Sequence, residues 1–191
     1  MKVLAINGSA RKEGNTTALI KHVLTELEKE GIQTELIELA GKKVRGCAAC
    51  YKCMENKDKK CSVATDYVNH VIERMIEADG IILGSPTYFA NVSAEMKGLI
   101  DRSGMVARAN DNMLRLKAGA AVVAARRAGS IHAFDTINHF FFVNEMIVPG
   151  SIHWNVAFGR NKGEVEKDEE GIAGMKNLGK NMAWLLKRIA V

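Results

Sequence analysis

Three of the five predicted strands in this 191-residue chain are apolar runs without polar alternation, and this pattern restricts the possible folds most. Residues 3–6, 81–83 and 118–125 contain no charged or amide side chain. Strands of this composition are buried on both faces, as in parallel sheets that helices cover on each side. Amphipathic helical segments alternate with the strands, so the sequence predicts an α/β protein with a parallel sheet.

The order of the elements follows from the same periodicity. The predicted strands are 2–7, 32–39, 80–85, 118–125 and 146–148, and the predicted helices are 16–30, 66–78, 93–103, 131–144 and 168–189. Residues 154–167 have no clear period and are predicted to be irregular. We expect residues 1–191 to form a single domain, with a cysteine-rich loop at 40–65 inserted after the second strand.

Charge and hydrophobicity restrict the possible binding partners and the cellular location of the protein. The formal net charge is +5, but the lysines are spread along the chain and aromatic residues total only 6%, which does not indicate nucleic-acid binding. No apolar run approaches the roughly 20 residues of a membrane span. Met1 leads directly into the first strand and leaves no room for a signal peptide. We therefore expect a cytoplasmic protein that binds neither nucleic acid nor a membrane.

The first strand leads at once into a small polar loop, residues 8–15, and then into a helix. At such a junction, free backbone N–H groups and the helix dipole attract an anion. The loop fits neither a P-loop nor the Gly-x-Gly-x-x-Gly motif, because five residues separate Gly8 from Gly14 and Asn15 replaces lysine. Its donors suit a monophosphate, unless the loop binds nothing. The candidate phosphate-binding residues are Ser9, Arg11, Asn15, Thr16 and Thr17.

This loop resembles the first βα loop of the flavodoxin-like FMN proteins, which binds the FMN phosphate. The resemblance implies a flavodoxin-like doubly wound sheet of strand order 2-1-3-4-5 with helices on both faces. Strands 1 and 3 are neighbours in that order, and ligands bind beyond their carboxyl ends, at the switch point. We therefore expect the loops at 8–15 and 86–91 to meet.

The loops after the third and fourth strands carry further candidate flavin contacts. Residues 84–93 resemble the corresponding loop of NADPH-dependent FMN reductases. Tyr88 and Phe89 provide the flat apolar surface that an isoalloxazine ring needs, unless they cap the core. A positive charge from Arg126 or Arg127 would stabilise an anionic reduced flavin, unless both are solvated. The candidates in these two loops are Pro86, Thr87, Tyr88, Phe89, Asn91, Ala125, Arg126, Arg127 and Gly129.

All four cysteines lie within fifteen residues, in the pattern C-x₂-C-x₂-C-x₇-C. Structural disulfides are unusual in the cytosol, and zinc sites usually separate two cysteine pairs by a longer loop. Three thiolates at x₂ spacing and a fourth that closes the set are typical of [4Fe–4S] ligation. Zinc binding and reduced or redox-sensing thiols are the alternatives. The candidate metal ligands are Cys47, Cys50, Cys53 and Cys61.

Together, the flavin loops and the cysteine motif resemble the iron–sulfur flavoproteins, a branch of the NADPH-dependent FMN reductase superfamily. The resemblance implies an oxidoreductase that passes electrons between FMN and a [4Fe–4S] cluster or an external carrier such as ferredoxin, with no catalytic side-chain acid or base. The alternatives are an NAD(P)H-dependent FMN or quinone reductase without a functional cluster, and a flavin-binding thiol redox sensor. A loop of this length cannot bury a cluster by itself, so we expect a homodimer or homotetramer.

Overall fold

The computed structural model describes residues 1–189 and confirms the doubly wound parallel sheet. The strands are β1 (Lys2–Asn7), β2 (Gln33–Glu38), β3 (Gly80–Pro86), β4 (Ala118–Ala125) and β5 (Val156–Phe158). They lie in the order β2-β1-β3-β4-β5, and every neighbouring pair is parallel. The assignment of residues 1–191 to one domain stays a prediction, and residues 190 and 191 lie outside the described part.

Helices cover both faces of the sheet. They are α1 (Asn15–Lys29), α2 (Lys52–Asn56), α3 (Val68–Glu77), α4 (Ala94–Ala109), α5 (Ser130–Val143) and α6 (Glu169–Ile189), with a 3₁₀ helix at Glu164–Lys167. α1 and α6 pack on one face, and α3, α4 and α5 pack on the other. None of the helices in the described residues is both long and apolar enough to cross a membrane.

The side chains of β1 show why the apolar runs require two covering layers. Val3 and Ala5 point into the core beneath α1 and α6, whereas Leu4 and Ile6 point into the core beneath α3 and α4. All four side chains are fully buried. Polar residues therefore concentrate where strands end, and Asn7 is the last residue of β1.

The predicted fifth strand at 146–148 is wrong. Ile147 makes only an isolated parallel bridge with Ala118, at the start of β4. Pro149 has no N–H to extend that ladder, and the chain leaves the sheet there. It returns at β5, which pairs with the last three residues of β4. The segment 154–167, expected to be irregular, therefore contains the edge strand and the 3₁₀ helix.

Two helix predictions also need correction, and one helix was not predicted. α4 continues to Ala109 rather than ending at 103, and Val106 and Ala107 are buried in its extra turns. α3 begins at Val68 rather than at 66, because the Asp66 carboxylate accepts a hydrogen bond from the Val68 N–H at 3.3 Å and stays outside the helix. The short helix α2 lies within the cysteine-rich loop, where none was predicted.

Glu35, on the edge strand β2, predicts an acid-sensitive component of stability. The Arg74 guanidinium and then Lys2 lower the pKa of Glu35 to about 2, although burial opposes this. Because the folded-state pKa lies below the usual 4.5, the stabilisation is present above pH 4.5 and is lost as the pH falls towards 2. Glu35→Gln should make the free energy of unfolding less dependent on pH in that window. Urea unfolding across a pH series measures this, and parallel curves for the two proteins would contradict the prediction.

Candidate functional site

The loop after β1 is held against the neighbouring elements by backbone contacts. Gly8 N donates to Gly84 O at 2.8 Å, and the Ser93 hydroxyl donates to Gly8 O at 2.6 Å. A Cβ atom at Gly8 would lie 2.8 Å from the Cβ of Met96 in α4, so only glycine allows this approach. The first loop is thereby fixed to the end of β3 and the start of α4, as the expected meeting of the two loops requires.

The N-terminus of α1 opens at this loop without a side-chain cap. The N-cap residue is Gly14, and no side chain accepts a hydrogen bond there. The N–H groups of the first turn lack partners inside the helix and carry the positive end of the helix dipole. An anion placed at this end of α1 would receive both the hydrogen bonds and the favourable potential.

The predicted phosphate-binding residues have different roles in the structure. Asn15 is committed to the segment after β5: its Nδ2 donates to Gly159 O at 3.0 Å and Asn161 O at 2.9 Å, and its Oδ1 accepts from Gly163 N at 2.8 Å. Asn15 lines the cavity but holds two segments together, so its amide is already occupied.

Thr17 is likewise committed, in this case to a polar cluster below the loop. Its hydroxyl donates to Glu38 Oε1 at 2.7 Å and accepts from Asn7 Nδ2 at 2.9 Å. Asn7 Oδ1 in turn accepts from Ser9 N at 2.9 Å. This cluster ties the ends of β1 and β2 to the first turn of α1 and fixes the shape of the loop.

A cavity of about 260 Å³ lies at the carboxyl edge of the sheet, in front of α1. Four segments contribute to it: the loop after β1, the start of the loop after β3, the end of β4 and the segment after β5. A cavity of this size is smaller than most sites for drug-sized ligands, so it suits a phosphate and its adjoining chain, with any ring system reaching beyond it. The lining residues are Ser9, Arg11, Gly14, Asn15, Thr16, Pro86, Thr87, Tyr88, Ala124, Ala125, Arg126, Gly159, Arg160 and Lys162.

The charge of the cavity suits an anion. Its lining includes Arg11, Arg126, Arg160 and Lys162 and no acidic residue. Lys162 also pairs with Glu13 at 3.3 Å, outside the lining. Thr87 lines the cavity, and its buried hydroxyl oxygen has no hydrogen-bond partner within residues 1–189.

Some of the predicted flavin contacts in the loop after β3 lie beside the cavity and do not line it. Tyr88 and Asn91 exchange two backbone hydrogen bonds of 2.9 and 3.0 Å, which close a tight hairpin turn. Phe89 and Ala90 occupy that turn with φ of 47° and 57°, an unfavourable region for such residues, and the Phe89 side chain is fully exposed. The structure therefore displays an aromatic ring at the tip of this loop.

The loop after β4 packs against this hairpin. Gly129 has φ of 83°, and a Cβ atom there would lie 2.9 Å from Ala90 Cα. Arg126 lines the cavity and Arg127 does not. Nine of the fourteen predicted flavin contacts thus line the cavity, whereas Thr17, Phe89, Asn91, Arg127 and Gly129 do not.

Sequence reasoning missed Gly159, Arg160 and Lys162. Their position depends on β5, because Gly159 follows that strand directly and donates its N–H to Ala125 O at 2.8 Å. A Cβ atom at Gly159 would lie 2.5 Å from Val165 N, which explains the glycine. The available signal was a glycine followed by two cations within four residues, but it becomes informative only when the strand before it is placed correctly.

The cysteine segment runs from the end of β2 to α3, at the same edge of the sheet. Each of three thiols has a defined partner: Cys47 Sγ accepts from Ala49 N at 3.4 Å, Cys50 Sγ lies 3.3 Å from Ser62 Oγ, and Cys61 Sγ accepts from Arg102 Nε at 3.3 Å. Cys47 and Cys50 are exposed, whereas Cys53 and Cys61 are half-buried against the core. All four cysteines are free thiols.

The thiols of the cysteine segment differ in their electrostatic surroundings. Burial raises the pKa of Cys53, and the charges of Cys61, Cys47 and Cys50 raise it further. The hydroxyl of Ser62, and then the backbone N–H of Lys52, lower the pKa of the exposed Cys50 thiol. Four thiols that can ionise therefore fit an iron–sulfur cluster in kind. Within residues 1–189, however, no three His, Cys, Asp or Glu side chains converge to hold a metal ion.

Comparisons with known proteins cover nearly the whole chain. The sequence model of the family described as NADPH-dependent FMN reductase matches residues 1–161. An iron–sulfur flavoprotein from Methanocaldococcus jannaschii is 41% identical over 196 aligned positions, which cover 99% of each chain. An iron–sulfur flavoprotein from Archaeoglobus fulgidus is 35% identical over 95% of this chain and 94% of its own. The structure of RosB with a bound riboflavin-5′-phosphate derivative superimposes with a TM-score of 0.77 at 18% identity, over 99% of this chain and 80% of RosB, which shows a shared fold.

Proposed function

The chain belongs to the NADPH-dependent FMN reductase family and is an FMN-dependent oxidoreductase, and we propose that within this family it is an electron-transfer iron–sulfur flavoprotein. Electrons would pass between FMN and a [4Fe–4S] cluster, or between FMN and an external carrier such as ferredoxin. The names of the relatives from Methanocaldococcus jannaschii and Archaeoglobus fulgidus, each matched along almost its whole length, support this proposal.

The observation that carries the FMN part of the proposal is the cavity at the uncapped start of α1. It combines free N–H groups, four cations and no acidic lining residue. Ser9, Arg11 and Thr16 line it on the α1 side, and Thr87 lines it directly after the end of β3. Bound FMN would exchange electrons singly or in pairs. Of the two predicted arginines, Arg126 is the better candidate to stabilise a reduced ring, because it alone lines the cavity.

For the cluster, Cys47, Cys50, Cys53 and Cys61 would be the ligands, and the cluster would supply single-electron transfer. The exposed surface around them is basic. It carries Lys42, Lys43, Arg45, Lys52, Lys57, Lys59 and Lys60 against two exposed carboxylates, those of Glu55 and Asp58. This charge would offset that of the thiolates and attract an acidic carrier, which supports a ferredoxin-like partner.

A second candidate is an NAD(P)H-dependent FMN or quinone reductase without a functional cluster. The family description favours it, and so do the four thiols, which do not converge into a ligand set in the described residues. Adding NADPH under anaerobic conditions separates the two candidates. Rapid bleaching of the flavin by NADPH alone supports the reductase, whereas bleaching only by reduced ferredoxin supports the electron-transfer protein.

Thr16 and Thr17 provide a matched pair for testing the FMN site. Thr16→Val removes a hydroxyl from the cavity wall and should weaken FMN binding by about 1–3 kcal/mol, as for a hydrogen bond to a charged group. Thr17→Val removes a hydroxyl committed to Glu38 and should mainly lower folding stability, by roughly 1–3 kcal/mol. Fluorescence titration with FMN and with FAD measures the first effect, and urea unfolding measures the second. Equal loss of FMN affinity in both variants, or tighter binding of FAD, would contradict this assignment.

Cys50→Ser tests whether the cluster and the flavin are separable. Iron and sulfide analysis of anaerobically purified wild-type protein should first show a cluster. The variant should lose iron, sulfide and the broad absorbance of the cluster but keep FMN, because the two sites use different loops. Ser62→Ala, which removes only the hydroxyl partner of Cys50, serves as the control and should keep both groups. Loss of FMN together with the cluster in Cys50→Ser would show that the two sites depend on each other.

We also propose that the protein is a homo-oligomer, and the exposed aromatic surface beside β5 supports this. Phe142 and Trp154 are 61% and 70% exposed and line a cavity of about 520 Å³ between α5 and residues 148–155. In the same lining, the buried amide oxygens of Asn138 and Asn155 have no hydrogen-bond partner within residues 1–189. The neighbouring apolar residues Phe140, Phe141 and Met146 belong to the core and contribute no exposed surface to such an interface.

Sedimentation equilibrium tests this assembly. We expect wild-type protein at micromolar concentration to be a dimer or tetramer, and Trp154→Glu to shift it towards the 20.9 kDa monomer, because the charge would be buried against a second copy. Trp184→Glu changes the other exposed tryptophan, on α6, and is the matched control. A wild-type monomer with intact FMN would contradict the proposal.

A further inference from the structure

A fully buried arginine lies beneath the cysteine segment and has no role in the function described so far. Arg102, on α4, is 1% exposed, and its ion-pair partner Asp66 has a fully buried side chain. Burial opposes the charge on each group. Burial has the largest single effect on each pKa, but the ion pair and the hydrogen bonds to other neighbours together outweigh it. The pKa of Arg102 therefore lies above and the pKa of Asp66 below its usual value. Both are therefore charged at neutral pH.

The guanidinium joins the two ends of the cysteine segment. Nη1 donates to Arg45 O at 3.3 Å, just before Cys47, and Nη2 donates to Val63 O at 2.7 Å, just after Cys61. Asp66, which accepts from Nη1, also accepts from Arg45 N at 3.0 Å. These bonds close a loop that contains all four cysteines. α4 supports the closure one turn earlier, where a Cβ atom at Gly98 would lie 3.1 Å from Arg45 O.

The third guanidinium nitrogen of Arg102, Nε, contacts a cysteine. Its Nε donates to Cys61 Sγ at 3.3 Å. A hydrogen bond from a cation to sulfur is much more favourable when the sulfur is a thiolate, which is its form as a metal ligand. The Cys61 backbone is held as well, because Asn69 donates to Cys61 O and accepts from Cys61 N, both at 2.8 Å. Cys61 is therefore the cysteine most firmly fixed by the rest of the protein.

We propose that Arg102, together with Asp66, is a positioning residue for the cluster: it closes the cysteine segment and holds Cys61 Sγ in place as a ligand. This inference rests on the proposed function. The planar fork of arginine is needed, because the four acceptors lie around it in different directions. A lysine would keep the charge but present a single ammonium on a flexible stem.

The test uses Arg102→Lys in the full chain, compared with Arg74→Lys as the matched control. Arg74 also forms a fork on a carboxylate, that of Glu35, but it contacts no cysteine. Both proteins are reconstituted anaerobically with FMN, ferrous iron and sulfide. The measurements are FMN content, iron content, the rate of iron loss to a chelator, the reduction potential of the cluster by EPR-monitored titration, and the rate of tryptic cleavage at Lys57, Lys59 and Lys60 in protein without iron.

Arg102→Lys should keep FMN, lose iron to the chelator at least several-fold faster than wild type, and be cleaved several-fold faster in the cysteine segment. The cluster potential should shift to a more negative value, because the ligand sulfur loses a hydrogen bond while the local charge stays the same. Arg74→Lys should match wild type in all of these. Wild-type values in Arg102→Lys for iron loss, potential and cleavage would overturn the proposal.

Two further outcomes are distinguishable. If Arg102→Lys does not fold, the experiment uses the double variant R102M/D66N in its place. This variant removes both buried charges, and a neutral pair is less disruptive than an unpaired buried charge. General unfolding of that variant too, with loss of FMN, would assign the pair to core stability and overturn the local role. If wild-type protein takes up no cluster, the proposed function and the ligand role both fail, and the tryptic comparison alone decides whether Arg102 closes the segment.

Discussion

Burial of the sheet on both faces is the constraint on which the rest of the structure depends. Inside the two cores the central strands carry apolar side chains, as Val3 to Ile6 do, whereas the edge strand β2 is only partly buried. Polar chemistry is therefore confined to the ends of the strands, and parallel strands bring their carboxyl ends together at one edge. The glycine-bearing loop after β1, the hairpin after β3 and the cysteine segment after β2 all begin at that edge. The candidate site therefore lies at the carboxyl edge of the sheet, because polar side chains can be accommodated there.

α4 contacts both of the regions proposed to bind cofactors. Its N-cap residue Ser93 donates to Gly8 O in the loop after β1, and Arg102, further along the helix, contacts Cys61. Between them, Gly98 allows the backbone of Arg45 to approach the helix closely. The loops belong to different strands and share no sequence signal. A helix that contacts both holds them in a fixed relation, which electron transfer between two centres requires.

The sequence was sufficient for the parallel sheet and for three of the four segments that form the cavity, because these depend on local signals: apolar runs, glycines and helix starts. The strand order followed from the resemblance to the flavodoxin-like proteins. It was insufficient where a residue's role depends on a distant partner. Asn15 and Thr17 looked equivalent to Thr16, but their side chains bind Gly159 and Glu38, far along the chain. The three-residue β5 has too little periodicity to be identified without β4 beside it, and the contribution of Arg160 was lost with it. Arg102 was missed because a lone arginine in a helix gives no sign that it will be buried.

The two candidate sites differ in how far the protein alone shapes them. The cavity proposed for FMN is preformed, with its walls fixed by backbone hydrogen bonds and by glycines that permit close approach. In the cysteine segment, Ala49, Tyr51, Lys57 and Lys59 have φ between 48° and 61°, which is unfavourable for side-chain-bearing residues. Such conformations persist only where other interactions impose them.

The protein supplies such interactions in one half of the segment only. The Lys59 N–H donates to Asn110 Oδ1 at 2.9 Å, and Arg102 holds the ends of the segment. Cys47 and Cys50, in contrast, are exposed. Thiolate–metal bonds would supply the missing constraint, because metal binding and local folding are thermodynamically coupled. The half of the segment around Cys61 is therefore organised by the protein, and the half around Cys47 and Cys50 is the part that ligand binding would organise.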